Sequence, residues 1–287
     1  MESIPVAVIG GSGLYQMPGL KNVQEHRLST PFGEPSDALI VGELSGIPVA
    51  FLPRHGRGHV LSPSEVPYRA NIYALKSLGV RHLIGVSACG SLRQHLEPGD
   101  IVIPDQLFDF TRSRPCSFFG DGLVAHISVA EPFCPGLSAL LASVCESAGG
   151  HVHRGGTLIT IEGPRFSTKA ESQAFRAWGM DIIGMTTSPE AFLAREAGLC
   201  YTTMAHVTDY DVWHESEAPV TVEVVIQRLN ANVKLAQDAI AALAPQLAQL
   251  QTHCNCAEAL ATALITAPDR VLAATREKLR LLTTPYL

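Results

Sequence analysis

Residues 181–211, DIIGMTTSPEAFLAREAGLCYTTMAHVTDYD, constrain the fold more than any other stretch. They read as an apolar strand, a polar turn, a short helix and a second apolar strand that ends in two carboxylates. One continuous segment therefore sets Met185, Thr186, Asp209 and Asp211 at the carboxyl ends of strands. Ligands bind at those ends in an open α/β sheet.

The same theme, an apolar strand emptying into small or hydroxylated residues, recurs along the chain. Residues 5–10, PVAVIG, run into GGSGLY. These glycines let successive N–H groups converge on an anion, with the Ser12 hydroxyl as an added donor; a plain tight turn is the equal alternative. Gln16 stands where a dinucleotide-binding loop needs its third glycine, and there is no Walker lysine. DALIVGEL and IPVAFLPRH are separated by Ser45-Gly46, a hairpin signal, and the second run delivers RHGRGH. His55 and His59 have a metal-like spacing, but Gly56 replaces the glutamate of the zinc-protease motif, so no metal is expected there. Arg54, with its fixed fork of donors, suits an oxyanion or phosphate better.

HLIGVSACGSL opens a further strand-end loop at Ser87 and Ala88. Its Cys89 has no basic partner adjacent in sequence and reads as packing rather than as a nucleophile. His151 and His153 alternate on one strand face without a third ligand nearby in sequence and read as a solvated edge. GGTLITIEGPRFST breaks at residues 162–164 and presents Phe166, an aromatic suited to stacking on a base.

Helical spacing is predicted over residues 68–78, closing at Gly79, and over residues 137–148. A third helix follows the N-cap candidate Thr168 and closes at Gly179, and a long amphipathic one spans about 220–250. Two more helices are predicted at about 256–265 and 269–283. Alternating strands and helices without a linker argue for one α/β domain over residues 1–287, a mixed sheet flanked by helices, with a C-terminal helical cap from about 220.

With 287 residues, 46% of them hydrophobic, the chain can bury a large core. A net charge of −6 with scattered Lys and Arg gives no stripe that would track a nucleic-acid backbone. The start of the chain has no signal-peptide pattern and no stretch reads as a membrane span, so a cytoplasmic protein is expected. Seven cysteines without framework spacing read as reduced thiols. For Cys254 and Cys256, a disulfide and free thiols stay open, and His253 with two thiols is an incomplete zinc set.

Nine motifs in unbroken order, GGSGL, TPFGEPSDAL, RHGRGH, ACGSL, PGDIVIPDQ, AEPFCP, TIEGPRFST, MTTSPEA and TDYD, resemble the 5'-methylthioadenosine phosphorylases of the purine nucleoside phosphorylase superfamily. The resemblance runs from residue 5 to about 240. It implies phosphorolysis of methylthioadenosine to adenine and 5-methylthioribose 1-phosphate, with inorganic phosphate as co-substrate and no cofactor. It also implies a homotrimer or homohexamer.

On matching positions the resemblance assigns phosphate to Ser12, Arg54, His55, Ser87, Ala88 and Thr186, and the ribose to Met185. Asp209 becomes the acid that protonates the purine. Burial beside a base raises a carboxyl pKa, which suits that task. Asp211 accepts from the exocyclic amino group, with Thr208 and Phe166 beside the base. His59, Val222, Val225 and Ile226 wall the methylthio group, the last three also being explicable as helix packing, and His126 is implied to come from a neighbouring subunit. Gly184 and His206 depart from the pattern around the base. A phosphorylase for methylthioinosine or 6-oxopurine nucleosides, and a nucleoside-binding protein without catalysis, remain the alternatives.

Overall fold

The computed structural model describes residues 3–11, 13–14, 16–214, 221–247 and 254–287. In chain order the strands are β1 (Val6–Gly10), β2 (Lys21–His26), β3 (Leu39–Leu44), β4 (Ile47–Pro53), β5 (His82–Ser91), β6 (Ile101–Ile103), β7 (Gln106–Phe110), β8 (Val152–Arg154), β9 (Thr157–Ile161), β10 (Ile182–Gly184) and β11 (Cys200–Asp209). The helices are α1 (Tyr68–Ser77), α2 (Pro135–Ser147), α3 (Lys169–Ala177), α4 (Thr187–Glu196), α5 (Val222–Leu247) and α6 (Ala273–Thr283). This is the mixed α/β architecture expected from the sequence.

All eleven strands form one sheet that branches at β5. The first half of β5 lies parallel between β1 and β11, while its last residues turn to pair antiparallel with β10. β10 continues in parallel to β9, and β9 to β7. β11 carries β6 and β8 on its other side. The branch explains why β5 and β11 are buried along most of their length: β11 is buried at all ten positions, the reading expected of a strand covered on both faces.

Local chemistry sets the boundaries. Ser45 and Gly46 both take left-handed backbone in the β3–β4 hairpin turn, as the Ser-Gly pair predicts. Thr168 and Glu171 form a reciprocal capping box at the start of α3. Two large apolar clusters line the sheet, one under α1, α4 and the C-terminal residues, the other between α2, α5 and the strands β1, β3 and β4.

One strand is unannounced by the sequence and two expectations change. β2 has no apolar alternation in KNVQEH and is almost wholly exposed, so no pattern announced it. Residues 99–110, GDIVIPDQLFDF, read as a single strand by their apolar pattern, but they divide into β6 and β7, which leave for different neighbours, β8 and β9. The helix expected over about 256–265 is only a 3₁₀ turn, Cys256–Glu258. The backbone beyond it is drawn away: His126 N donates to Ala263 O, Ile265 N donates to Val124 O, and Ala125 bridges Leu264. Tertiary pairing overrides the helix propensity of that Ala- and Leu-rich segment. Among the described residues no helix is long and apolar enough to cross a membrane.

Candidate active site

Arg54 follows β4 and is the hub of the site. Its Nε and Nη2 grip both oxygens of Glu190 at 2.8 and 2.9 Å, Nη1 donates to Val86 O at 2.9 Å and Nη2 to Ile9 O at 3.2 Å. One side chain, only 3% exposed, thus ties β1, β4, β5 and α4 together. Burial alone would lower its pKa, but the Glu190 carboxylate outweighs this and holds it above the ordinary arginine value. Of five N–H groups, four have protein acceptors, which leaves one on Nη1, beside the Val86 carbonyl that precedes Ser87. Tyr201 in β11 donates to the same Glu190 at 2.8 Å. Glu190 received no role from the sequence, although it stands inside the MTTSPEA motif; its separation of 136 residues from Arg54 hid the pair.

His55 Nδ1 lies 2.9 Å from Leu61 O, and a carbonyl can only accept, so this nitrogen carries the hydrogen. Burial first, then the nearby Arg54 charge, lowers the His55 pKa to about 4, and the ring is neutral at pH 7 with Nε2 as an acceptor. It stacks on His59 with centroids 4.3 Å apart. Thr186 is buried and precedes α4, and its hydroxyl makes no cap bond to the helix. Ser87 and Ala88 pair with Ala205 and His206 across β5 and β11. Ser12 lies outside the described residues.

On the opposite side, the register of β11 against β5 slips between Val207 and Asp209, so Thr208 is the extra residue and Asp209 stands against Gly90. Irregularities of this kind re-aim a side chain at a strand end. A Cβ on Gly90 would lie 2.9 Å from Asp209 Oδ1, which explains the glycine of ACGSL. Asp209 Oδ2 is 2.7 Å from Thr208 Oγ1, which also reaches Cys89 O at 3.2 Å, and Oδ1 accepts from the Asp211 amide at 2.8 Å. Burial raises the Asp209 pKa, against the pull of these two donors. Asp211, in left-handed backbone, is also raised by burial. The Ser172 and Ser167 hydroxyls favour its charged form, yet Oδ2 remains buried without a well-formed hydrogen bond.

The loop between these two sides is fixed by Arg114, another residue that sequence reasoning missed. Its Nη1 donates to Met185 O at 2.6 Å and Ser188 O at 2.8 Å, and its Nη2 to Glu162 O at 2.6 Å, joining the ends of β9 and β10. Gly163 (φ 65°) lets Met185 approach; a Cβ there would sit 2.7 Å from Met185 Sδ. Phe166 is exposed at the end of β9, and Arg228 of α5 donates to Thr208 O at 2.6 Å. The first turns of α5 therefore sit beside Asp209, where Val222 and Ile226 are 58% and 50% exposed and Val225 is half-buried.

The structure does not bring His126 to this group. Its amide is tied to Ala263, and among the described residues no hydrogen bond or ring contact links it to the strand ends. Cys89 is buried, its thiol donates to His206 O at 3.4 Å, and burial raises its pKa well above the ordinary value, all in keeping with packing. His206 is buried inside β11, with its pKa lowered by burial to about 4. At Gly184 a Cβ would meet only ordinary contacts. His151 and His153 do have a third partner, Asp100, at 2.7 Å from each, which their sequence spacing could not show.

The model of a family described as the phosphorylase superfamily matches residues 5–245. The chain belongs to this superfamily. It is 57% identical over 280 residues to the S-methyl-5'-thioadenosine phosphorylase of Chloroflexus aurantiacus, covering 97% of each chain. To that of Gloeobacter violaceus it is 52% identical, covering 98% of this chain and 95% of the other. Among solved superfamily structures, a methylthioadenosine phosphorylase from an Antarctic soil metagenomic library superposes with a TM-score of 0.94 at 49% identity, over 98% of this chain and 99% of that one. The Schistosoma mansoni methylthioadenosine phosphorylase in complex with adenine superposes with a TM-score of 0.83 at 34% identity, over 98% of each chain.

Proposed function

We propose that this chain cleaves S-methyl-5'-thioadenosine with inorganic phosphate, giving adenine and 5-methylthioribose 1-phosphate. The observation that carries the reading is the buried Asp209 carboxyl with a raised pKa at the end of β11. A nucleoside gives up its base most easily when the base is protonated as it leaves, and Asp209 is the group we assign to supply that proton. If Oδ2 is protonated, the Thr208 hydroxyl can turn to Cys89 O, and if it is ionised, the same hydroxyl donates to Oδ2. Both protonation states are thereby accommodated without leaving a buried donor orphaned.

Asp211 Oδ2, buried and without a well-formed partner, suits a donor on the base. A 6-amino group supplies one and a 6-oxo group does not, which favours adenine. Phosphate takes the other face of the sugar, with the remaining Nη1 hydrogen of Arg54 and the hydroxyls of Ser12, Ser87 and Thr186 as donors. Neutral His55 can accept from a protonated phosphate oxygen. No metal or other cofactor enters this chemistry.

The exposed Val222 and Ile226, with Val225 and His59, supply the apolar surface for a methylthio group. We assign His126 to the site of a neighbouring copy, which makes the active form a homotrimer or a hexamer built from trimers. The enzyme works in the cytoplasm on this reading. Incubation with methylthioadenosine, methylthioinosine, adenosine and inosine, with and without phosphate, tests it: phosphate-dependent release of adenine from methylthioadenosine is expected at the highest kcat/KM. Purine binding without phosphate-dependent release would refute it.

A further inference from the structure

Far from the strand-end residues, four cysteines meet. Cys134 is the residue before α2, Cys200 begins β11, and Cys254 and Cys256 follow α5 on the returning chain. Their sulfurs all lie within 4.8 Å of one another, with Cys200 and Cys254 at 3.4 Å. Three of the four residues are buried and Cys254 is half-exposed.

We propose that these four thiolates form a structural zinc site. Zinc bonded to sulfur at about 2.3 Å in a tetrahedron sets the sulfurs about 3.8 Å apart, and the observed spacing needs only small shifts to reach this. Two disulfides would require only two short pairs, whereas here every sulfur neighbours all the others. Four thiolates around a divalent ion leave a net charge of −2, and the surroundings answer it. Arg195 donates from Nη1 to Cys256 Sγ at 3.2 Å and from Nη2 to Asn255 Oδ1 at 3.1 Å. Cys134 is the residue before α2, so its sulfur lies at the helix N-terminus, whose dipole favours negative charge. Donors such as Arg195 orient and stabilise metal-bound sulfur. The sequence expectation counted His253 and two thiols; His253 lies outside the described residues, and the fold supplies Cys134 and Cys200 instead.

The site is structural because Cys200 starts the strand that Asp209 ends. The metal would pin the C-terminal residues to α2 and β11, where the apolar cluster holding Cys134, Cys200 and Cys256 closes over the sheet. The half-exposed Cys254 gives the ion a route in.

The test is metal analysis of the full chain, purified in reductant and reconstituted with zinc or cobalt(II). One zinc per chain is expected to survive gel filtration. The cobalt form is expected to show thiolate charge-transfer bands and the d–d bands of a tetrahedral sulfur site. Chelation should lower the melting temperature. Cys200→Ser and Cys254→Ser should lose the metal, Cys254→His should keep it, and Cys116→Ser, on an exposed cysteine outside the cluster, should behave as wild type. If the serine variants fail to fold, the zinc content and cobalt spectrum of the wild type decide. Zinc-reconstituted protein that is metal-free with all four thiols titratable, or whose intact mass is lower by four hydrogens, would overturn the proposal.

Discussion

The main-chain amide of Asp211 donates to Oδ1 of Asp209 at 2.8 Å, so the main chain of one acidic residue holds the carboxylate of the other at the end of β11. The left-handed backbone of Asp211 makes this tight return possible, and Gly90 leaves the space for it. Each carboxylate then has one face toward protein donors.

On the proposed reading, Asp211 sets the choice of base. Asp211→Asn exchanges an acceptor for a group that can also donate, and a 6-oxo group can use that donor. The kcat/KM ratio of methylthioadenosine to methylthioinosine is expected to fall by about tenfold or more, the scale of one unpaired buried polar group. An unchanged ratio would remove Asp211 from base selection.

Gly90→Ala tests the close approach. Its Cβ would crowd Asp209 Oδ1 and Ile183 Cγ2, so the carboxyl must move by a few tenths of an ångström. We expect kcat to fall by up to about 10²-fold, the cost of a reacting group misplaced by about 1 Å, with phosphate binding retained. Steady-state kinetics beside phosphate titration calorimetry separates the two.

The Arg54–Glu190 pair is buried on both sides, at 4% and 1% side-chain exposure. Glu190→Ala leaves a buried guanidinium uncompensated and should cost about 3–5 kcal/mol in urea unfolding. Glu190→Gln keeps the shape while removing the charge, and its phosphate KM should rise, since Arg54 then loses the partner that fixes its remaining donor. A Glu190→Ala protein of wild-type stability would contradict this account of the hub.

Glu196 provides a pH test of stability. Burial lifts its pKa to about 7 from 4.5, opposed by the Ser117 hydroxyl and Phe118 amide that its carboxylate accepts. A raised folded-state pKa means the folded protein binds the proton more tightly. The contribution is therefore full below about pH 4.5 and is lost as pH rises to about 7, by about 3 kcal/mol in total. Glu196→Gln should lack this part of the slope in denaturant titrations run from pH 4.5 to 8.

Residues close in sequence were readable, and those joined only by the fold were not. The buried run of β11, the N-cap at Thr168 and the strand-end placement of Met185, Thr186, Asp209 and Asp211 follow from local pattern. Glu190, Arg114, Ser167 and Ser172 act on the site from other elements, and no spacing rule links Arg54 to a glutamate 136 residues on. β2 is polar and exposed, so burial left no periodic mark on it. The terminal segment after Cys256 had helical composition, but its backbone found partners at residues 124–126. The same distance in sequence separated Cys134 and Cys200 from the CxC pair.

Acid catalysis by Asp209 is most directly measured by comparing Asp209→Asn with wild type on methylthioadenosine across pH, alongside the dissociation constant for phosphate. Burial raises the Asp209 pKa, so the protonated, active form is present below that raised value and wild-type kcat falls as pH climbs through it. Asp209→Asn is expected to lose about 10²–10⁴-fold in kcat and that limb of the profile, with phosphate affinity nearly unchanged. Wild-type turnover by Asp209→Asn, with the same pH profile, would contradict the account.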